Sequence, residues 1–132
     1  MKNIYTKIYS PVLTRKQIKY LYKNENYYLV LLFLCHNILY KTRIGKKGYT
    51  EDAYKTYRHT LKHLELFLHS KYNCNEVSFS TFNPDMVWEF HQYLLNEPKI
   101  RKTIAARYLD SLNHILRIAL AYGLLGQPIC EN

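Results

Sequence analysis

The sequence predicts an all-α fold with four main helices, and three observations support that prediction. Apolar residues make up 48% of the 132-residue chain, which is typical of a folded domain. Only four Gly and four Pro occur, too few for a turn-rich β fold. Apolar residues recur at spacings of three and four, as they do along one face of an α-helix. We therefore expect a single helical domain.

The first part of the chain predicts one buried helix, preceded by a shorter one. Thr14 is a suitable cap for a short helix through about Tyr22. Residues 27–40 form an uncharged, mostly apolar run. A membrane span needs about 20 apolar residues, so this run predicts a helix buried in a core, and we expect no membrane partner. A basic loop with two glycines, KTRIGKKG (41–48), follows.

Thr50 predicts the start of the second main helix. It is a suitable N-cap, and the two acidic residues after it occupy the first turn, where the helix dipole favours them. Residues 70–82 predict a loop, after which Asn83 followed by Pro84 is a typical helix start. The apolar face of the second helix comprises Ala53, Tyr57, Leu61, Leu64, Phe67 and Leu68, and that of the third comprises Val87, Phe90 and Leu94.

The last main helix is predicted from residue 103 to residue 122. Gly123 can supply the left-handed position that ends it. His114 and Arg117 lie on the polar side of this helix, three residues apart. Its apolar stripe comprises Ile104, Tyr108, Leu109, Leu112, Ile115, Leu116 and Ala119.

The net charge of +9 is distributed unevenly along the chain. Residues 1–50 carry ten Lys or Arg and one Glu, whereas residues 51–132 carry nine residues of each sign. Clustered cations indicate an anionic partner, usually nucleic acid or a membrane surface. A solvated basic surface is the alternative that composition leaves open. A second cluster, with no acid between Glu97 and Asp110, consists of Lys99, Arg101, Lys102 and Arg107.

Two basic stretches lead directly into predicted helices: GKKGYT (45–50) and KIRKT (99–103). A helix N-terminus presents free backbone N–H groups and the positive end of the helix dipole. Lys or Arg with a Thr hydroxyl at that position predicts a phosphate-binding site. Two such sites, at Thr50 and Thr103, suit a protein that straddles double-stranded DNA. Ordinary capping beside a soluble loop is the alternative.

Three segments in order carry a resemblance to a known family: GYTEDAYKTYRHTLKHLELFLHSKY (48–72), FNPDMVWEFHQYLL (82–95) and KTIAARYLDSLNHILRIALAYGLL (102–125). They are similar to successive parts of the core-binding domain of tyrosine recombinases, and most of all to integrases of Bacteroides-type mobile elements. LFLCHNILYKTRIGKKG (32–48) fits the first core helix of that domain and the basic loop after it. The resemblance covers roughly residues 29–128, and it rests on the ordered set rather than on one motif.

The resemblance implies a SAM-like four-helix bundle over residues 27–128 that grips one side of DNA at a recombination site. Residues 1–26 would be a basic N-terminal extension, and residues 129–132 a tail or the start of a linker. The family's catalytic domain, absent from this sequence, would belong to the full-length parent protein and close the other half of a clamp. Core-binding domains of this family also pack against neighbouring subunits, which implies assembly of copies on DNA.

By position, the resemblance places Tyr49, Thr50 and Lys55 at the DNA-facing start of one helix. Four residues from Arg101 to Arg107 match the start of another. Together with the remaining cations of the basic stretches and of the second helix, these form the set predicted to bind DNA. That set is Lys46, Lys47, Tyr49, Thr50, Lys55, Arg58, Lys99, Arg101, Lys102, Thr103 and Arg107.

His114 and Arg117 form an HxxR, a motif that helps to cleave DNA in tyrosine recombinases. Cleavage also needs another Arg in a separate segment and a Tyr nucleophile well downstream. Tyr122, the Tyr that follows Arg117, belongs to the same predicted helix and cannot swing to a phosphate held there. We therefore expect no catalysis by this chain, and we interpret the HxxR as a polar helix side that touches a neighbouring helix.

No metal or cofactor is predicted. His59 and His63 have a spacing that can bind a metal, but Thr60 stands where a zincin has Glu. No third ligand is obvious, with Cys74 and His69 as the candidates. We expect these two histidines to be solvated or to face DNA. The sequence shows no signal peptide and an odd number of widely spaced cysteines, which predicts reduced thiols in a cytoplasmic protein: Cys35, Cys74 and Cys130.

Two other functions remain open at this stage. The chain is alternatively a helical protein-interaction module for the assembly or regulation of recombinase subunits, acting through the apolar helix 27–40 or the C-terminal segment LLGQPICEN. A metal-dependent enzyme using His59 and His63 is the other alternative.

Overall fold

A computed structural model describes residues 28–123, which fold into four α-helices. These helices contain 72% of the described residues, which form no strand beyond isolated bridges. The predicted all-α class with four main helices is therefore confirmed. The short helix predicted from Thr14 to Tyr22 and the segment 124–132 lie outside the described residues. The helices are α1 (Leu29–Arg43), α2 (Glu51–Tyr72), α3 (Pro84–Leu95) and α4 (Lys102–Ala121).

The start of α1 is held by an acidic side chain from the loop between α2 and α3. Tyr28, the residue before the helix, provides no side-chain cap. Instead, the Glu76 carboxylate accepts hydrogen bonds from the backbone N–H groups of Val30 (2.7 Å) and Leu31 (2.9 Å). It also accepts one from the N–H of Val77 (2.9 Å). Burial raises the pKa of Glu76, and these three N–H groups oppose the rise.

The helix α2 starts with the predicted cap, but it ends later than predicted. The Thr50 hydroxyl accepts a hydrogen bond from the N–H of Ala53 (3.2 Å), as an N-cap should. The helix continues to Tyr72, so the loop predicted from residue 70 starts later. It ends because Asn73 adopts the left-handed conformation (φ 53°), which Asn tolerates better than most residues.

The start of α3 has the predicted chemistry. Pro84 occupies the first turn, and the Asn83 side chain accepts a hydrogen bond from the N–H of Met86 (3.1 Å). Phe90 is fully buried as predicted, but Met86 rather than Val87 completes the buried face, and Val87 is half-buried. The face of α3 toward the core is therefore rotated by one residue at its first turn.

We expect Asn83→Ala to lower the free energy of unfolding by about 1 kcal/mol, because the N–H of Met86 loses its side-chain acceptor. Urea unfolding followed by circular dichroism measures this change. Asn75→Ala removes an exposed Asn from the same loop and is the matched control, with an expected change below about 0.5 kcal/mol. Equal losses in the two variants would show that the cap contributes nothing.

The start of α4 differs from the prediction by one residue. The helix begins at Lys102, with Arg101 as the N-cap residue, and the Arg101 side chain does not cap its first turn. Thr103 is therefore inside the helix rather than at its cap, because the first helical hydrogen bond runs from the N–H of Ala105 to the carbonyl of Arg101 (2.9 Å). At the other end Gly123 has φ 76°, the left-handed conformation predicted for it.

The core lies where α4 packs against the other three helices. Leu112, Ile115 and Ala119 of α4 are fully buried, and the ring of Phe67 of α2 lies 5.5 Å from that of Phe90 of α3.

The periodicity missed several buried residues, among them Ala105 and Ser111 of α4 and Thr60 of α2, whereas Ile104 of the predicted stripe is only half-buried. Thr60 is the polar one inside α2. Its hydroxyl donates to the carbonyl of Thr56 (2.7 Å), which satisfies the polar group inside the helix itself.

Candidate nucleic-acid interface

The basic loop between α1 and α2 comprises residues 44–50 rather than the predicted 41–48. It is short because α1 extends three residues further than predicted, to Arg43. Gly45 (φ 101°) and Gly48 (φ 86°) adopt conformations that other residues rarely adopt. Backbone hydrogen bonds close the turn, including one from the N–H of Tyr49 to the carbonyl of Lys46 (3.0 Å). Lys46 and Lys47 are consequently exposed on an ordered turn.

The junction of the basic loop with α2 is fixed by Tyr40 of α1. Its hydroxyl accepts a hydrogen bond from the N–H of Thr50 (3.2 Å), and its ring lies 5.1 Å from the ring of Tyr49. The Arg43 guanidinium lies 5.9 Å from the centre of the Tyr49 ring, a cation–π contact. Tyr49, predicted to contact DNA, is therefore half-buried and supports the loop, whereas Thr50 is exposed.

The polar face of α2 presents further cations. Lys55 and Arg58 are exposed, as predicted, and Lys62 extends the row by two turns from Lys55. The Arg58 guanidinium lies 5.8 Å from the centre of the Tyr54 ring, so one face of this cation rests on an aromatic side chain. This face thus continues the positive charge of the basic loop along α2.

The start of α4 is more positive than the start of α2. The first turn of α2 contains two acidic residues and a Thr cap, whereas that of α4 contains no acid and no side-chain cap. Among residues 28–123, no acidic side chain of this first turn compensates the positive end of the helix dipole at these N–H groups. The predicted residues of this cluster are all exposed: Lys99, Arg101, Lys102, Thr103 and Arg107.

The packing of α2 against α4 places the two helix starts far apart. The ring of Tyr57 lies 5.8 Å from that of His114, and the ring of His63 lies 5.3 Å from that of Tyr108, so the helices run antiparallel. The start of α2 therefore lies beside the end of α4. Along the axis of α4, the two basic helix starts are roughly 28 Å apart at 1.5 Å per residue.

Arg107 lies between these two ends. It lines a shallow groove between α2 and α4 together with Thr56 and Ala53 of α2 and Asp110 of α4. Within residues 28–123, none of the predicted cations is held in an ion pair. Their charges are therefore available to an anionic partner, apart from the partial compensation that Asp110 gives Arg107.

The two residues of the HxxR lie in different surroundings. The His114 ring packs at 5.5 Å from the ring of His36 in α1, and burial lowers the pKa of His114. Arg117 is exposed. His114 therefore touches a neighbouring helix, as interpreted, whereas no such contact is shown for Arg117.

The histidines of α2 also differ from each other. His59 is exposed, but His63 is half-buried against Tyr108, and burial lowers its pKa. The prediction that His63 is solvated or faces DNA is therefore wrong, because the Tyr108 ring stacks on it. No group of three or more metal-ligating side chains comes together in the part of the chain that the structure describes. No helix within that part is long and apolar enough to cross a membrane.

An aromatic cluster that the sequence did not predict supports the junction of α1 with α2 and α4. The His36 ring contacts the rings of Tyr40 (5.8 Å), Tyr57 (4.4 Å) and His114 (5.5 Å). Asn37, buried beneath it, accepts from His36 and donates to the carbonyl of Tyr57 (3.3 Å). His36 and Tyr40 are four residues apart, so both rings lie on one side of α1. This spacing is the feature of the sequence that could have predicted the cluster.

Comparison with known protein families agrees with this architecture. The family model described as the phage integrase SAM-like domain matches residues 37–131, which include α2, α3 and α4. The chain belongs to the phage integrase SAM-like domain family. This membership supports the core-binding N-terminal domain of a tyrosine recombinase, and the SAM-like domain is the non-catalytic domain of integrases. No curated protein and no solved structure matches the chain.

Proposed function

We propose that this chain binds double-stranded DNA without cleaving it, as the core-binding part of a tyrosine recombinase. The observation that carries the proposal is the pair of exposed basic helix starts at opposite ends of the antiparallel helices α2 and α4. The spacing of roughly 28 Å along α4 exceeds the width of a DNA major groove, about 12 Å, so the two clusters can contact phosphates on either side of it.

The contacts on this proposal are mainly to phosphates. Lys46 and Lys47 would approach one strand from the basic loop, and Arg101 and Lys102 another from the start of α4. Lys55, Arg58, Lys99 and Arg107 would add contacts between and beside them, with Thr50 and Thr103 as hydroxyl donors. Contacts to phosphates position a protein on DNA and carry little sequence information, so we expect sequence-tolerant binding.

The rest of the parent protein completes the proposal. Residues 27–128 would be the core-binding unit, residues 1–26 a basic extension, and residues 129–132 the start of a linker to the catalytic domain. That domain would supply the cleavage and rejoining chemistry on the other side of the DNA. We place this activity in the cytoplasm, with further copies assembling on the same site.

The salt dependence of DNA binding tests the proposal. Each lost phosphate contact lowers the slope of log K against log salt by about 0.9. We therefore expect the double variant Lys46→Ala/Lys47→Ala, and equally Arg101→Ala/Lys102→Ala, to lower the slope by about two. Fluorescence anisotropy of a labelled duplex at several salt concentrations measures both the affinity and the slope.

Lys71→Ala is the matched control, because Lys71 is an exposed cation at the far end of α2, beside α3. We expect its slope to equal that of the unaltered protein. A slope near zero in the unaltered protein, or a Lys71→Ala effect as large as that of the basic-loop pair, would contradict the proposed interface.

A second candidate function is contact with a further recombinase subunit, and the surface of α3 favours it. Trp88 of α3 is 64% exposed, and Leu95 of the same helix is also exposed. Trp88 lines a groove of about 270 Å³ between α2 and α3. Residues 73–98, which include α3, contain four acidic residues and no Lys or Arg, which disfavours DNA as the partner of α3. The apolar helix first suggested for this role is instead largely buried, from Leu29 to Phe33.

Trp88 is the only Trp in the chain, so its fluorescence reports directly on this surface. If α3 contacts a second subunit, the Trp emission shifts to shorter wavelength as protein concentration rises, because the ring leaves water. Sedimentation velocity should show the same association, and Trp88→Ala should abolish it without changing the melting temperature. An unchanged emission spectrum in a strictly monomeric protein would exclude self-association through α3.

A further inference from the structure

A cleft separates α1 from the C-terminal half of α4, beside the basic loop. Its volume is about 370 Å³, at the lower end of the roughly 300–1,000 Å³ typical of small-molecule sites. Apolar side chains, among them Ile118 of α4, form part of its lining. A partly open cavity of this size with an apolar lining is the usual setting of a ligand site.

Aromatic rings form much of the remaining lining, and they hold one another in place. The ring of Tyr40 lies 5.1 Å from that of Tyr49 and 5.8 Å from that of His36. The His36 ring in turn lies 5.5 Å from that of His114. Rings fixed by neighbouring rings lose little conformational entropy when a planar ligand stacks on them. The cleft is therefore suited to a flat aromatic group.

The charge of the cleft favours anionic over cationic aromatic ligands. The described residues that line it include no Asp or Glu, and Arg43 is their one Lys or Arg. Burial lowers the pKa of both His36 and His114, so both rings are neutral near pH 7. Among the described lining residues, a cationic ligand would meet a guanidinium and no carboxylate, whereas an anionic group would pair with Arg43.

One of the two ring nitrogens of His36 is already engaged in a hydrogen bond. Its Nδ1 donates to the side-chain oxygen of Asn37 (2.9 Å), because the Asn37 amide nitrogen donates to the carbonyl of Tyr57 (3.3 Å). In the neutral ring, Nε2 is then an acceptor. An exocyclic amine or ring N–H is the matching group on a ligand.

We propose that this cleft binds a nucleotide, with the base against Tyr40 and Tyr49 and the phosphate at Arg43. The shared chemistry, a planar base carrying an anionic phosphate, occurs both in a free nucleotide and in an unpaired nucleotide of a DNA strand. The site is distinct from the proposed duplex interface, which uses the exposed lysines and the start of α4.

Titration of the full chain with 2′-deoxyadenosine 5′-monophosphate, followed by amide chemical shifts, tests the proposal. We expect saturable shifts at residues around the cleft. Deoxyadenosine, which lacks the phosphate, should bind roughly tenfold more weakly, the loss expected for one charge-assisted hydrogen bond. Shifts confined to the basic loop and reproduced by inorganic phosphate alone would overturn the proposal, because they would indicate an anion contact without a base site.

Two substitutions on α4 provide a matched pair. Ile118→Trp fills the cleft, and Leu120→Trp places the same side chain at an exposed position outside it. We expect Ile118→Trp to weaken nucleotide binding at least tenfold, and Leu120→Trp to leave it unchanged. Equal affinities in the two variants would overturn the proposal. If Ile118→Trp lowers the melting temperature strongly, Arg43→Ala decides instead, because it should erase the preference for the phosphorylated ligand.

Measurements of duplex binding distinguish the nucleotide cleft from the proposed duplex interface. They also show whether the cleft takes a free nucleotide or an unpaired nucleotide of a DNA strand. Ile118→Trp should bind a fully paired duplex as the unaltered protein does, whereas Lys46→Ala/Lys47→Ala should weaken duplex binding and keep nucleotide binding. A duplex with one unpaired adenine should bind more tightly than the paired duplex only if the cleft accepts a nucleotide within a strand. Equal affinity for the two duplexes, with nucleotide binding intact, assigns the cleft to the free nucleotide.

Discussion

Replacing Glu76 with Ala is expected to lower the free energy of unfolding by about 3 kcal/mol, because each unsatisfied backbone N–H in a partly buried site costs about 1–3 kcal/mol. The carboxylate accepts from the N–H groups of Val30 and Leu31, and Tyr28, the N-cap residue of α1, provides no side-chain cap of its own. Burial of the carboxyl, which raises its pKa, offsets part of this stabilisation. Equilibrium unfolding in urea measures the change.

Two variants separate the hydrogen bonds from the charge. Glu76→Gln keeps one carbonyl acceptor, so we expect an intermediate loss. Glu65→Ala removes a like charge that raises the pKa of Glu76, but Glu65 is exposed and is not the acceptor at the start of α1, so its effect should stay below about 0.5 kcal/mol. A loss in Glu65→Ala comparable with that in Glu76→Ala would show that net charge, and not the cap of α1, controls stability.

The contrast between the helix starts shows what the sequence can predict. The caps at Thr50 and Asn83 lie three residues before the N–H groups they accept from, and such local chemistry is visible in a short window. Glu76 lies 46 residues from Val30, and nothing in the sequence near either residue relates them. Long-range caps of this kind depend on tertiary packing, which helical periodicity does not contain.

The same limit applies to the candidate interface. The exposure of Lys46 and Arg101 follows from their positions in basic stretches before helices, and the structure agrees. Their separation by nearly the length of α4 follows only from the antiparallel pairing of α2 and α4. His63 illustrates the converse, since helical spacing places it among cations while the Tyr108 ring from another helix covers it.

The aromatic cluster links the core to the basic loop. Protonation of His36, at its centre, should therefore affect the stability of the fold. His36 packs against Tyr57 and His114, while Tyr40, one turn further along α1, holds the N–H of Thr50. Arg43, and His114 once it is protonated, disfavour a positive charge on His36. Protonation of His36 therefore acts against the packing of α1 on α2 and α4.

Acidification is accordingly expected to remove about 3 kcal/mol of stability through His36 alone, since one pKa unit corresponds to 1.36 kcal/mol. Burial above all lowers the pKa of His36 from 6.5 to about 4. Between these two pH values the unfolded chain binds a proton that the folded chain does not. The contribution is thus fully present above pH 6.5 and is lost as the pH falls toward 4.

Comparison with His36→Gln isolates this contribution, because Gln does not titrate. Burial lowers the pKa of His63 and His114 as well, whereas it raises the pKa of Glu65 and Glu76, whose contributions to the pH dependence have the opposite sign. The difference between the unfolding free energies of the two proteins cancels these terms. It should shrink by about 3 kcal/mol from pH 7 to pH 4.

Asn83→Ala is the control for a general loss of stability that does not depend on pH. It removes a helix cap without changing a titrating group near His36. Its difference from the unaltered protein should stay constant over the same pH range, while that of His36→Gln changes. A constant difference for both variants would mean that the His36 ring takes up its proton equally well in the folded and the unfolded chain. The aromatic cluster would then be open to water, and the junction of α1 with the basic loop would be insensitive to pH.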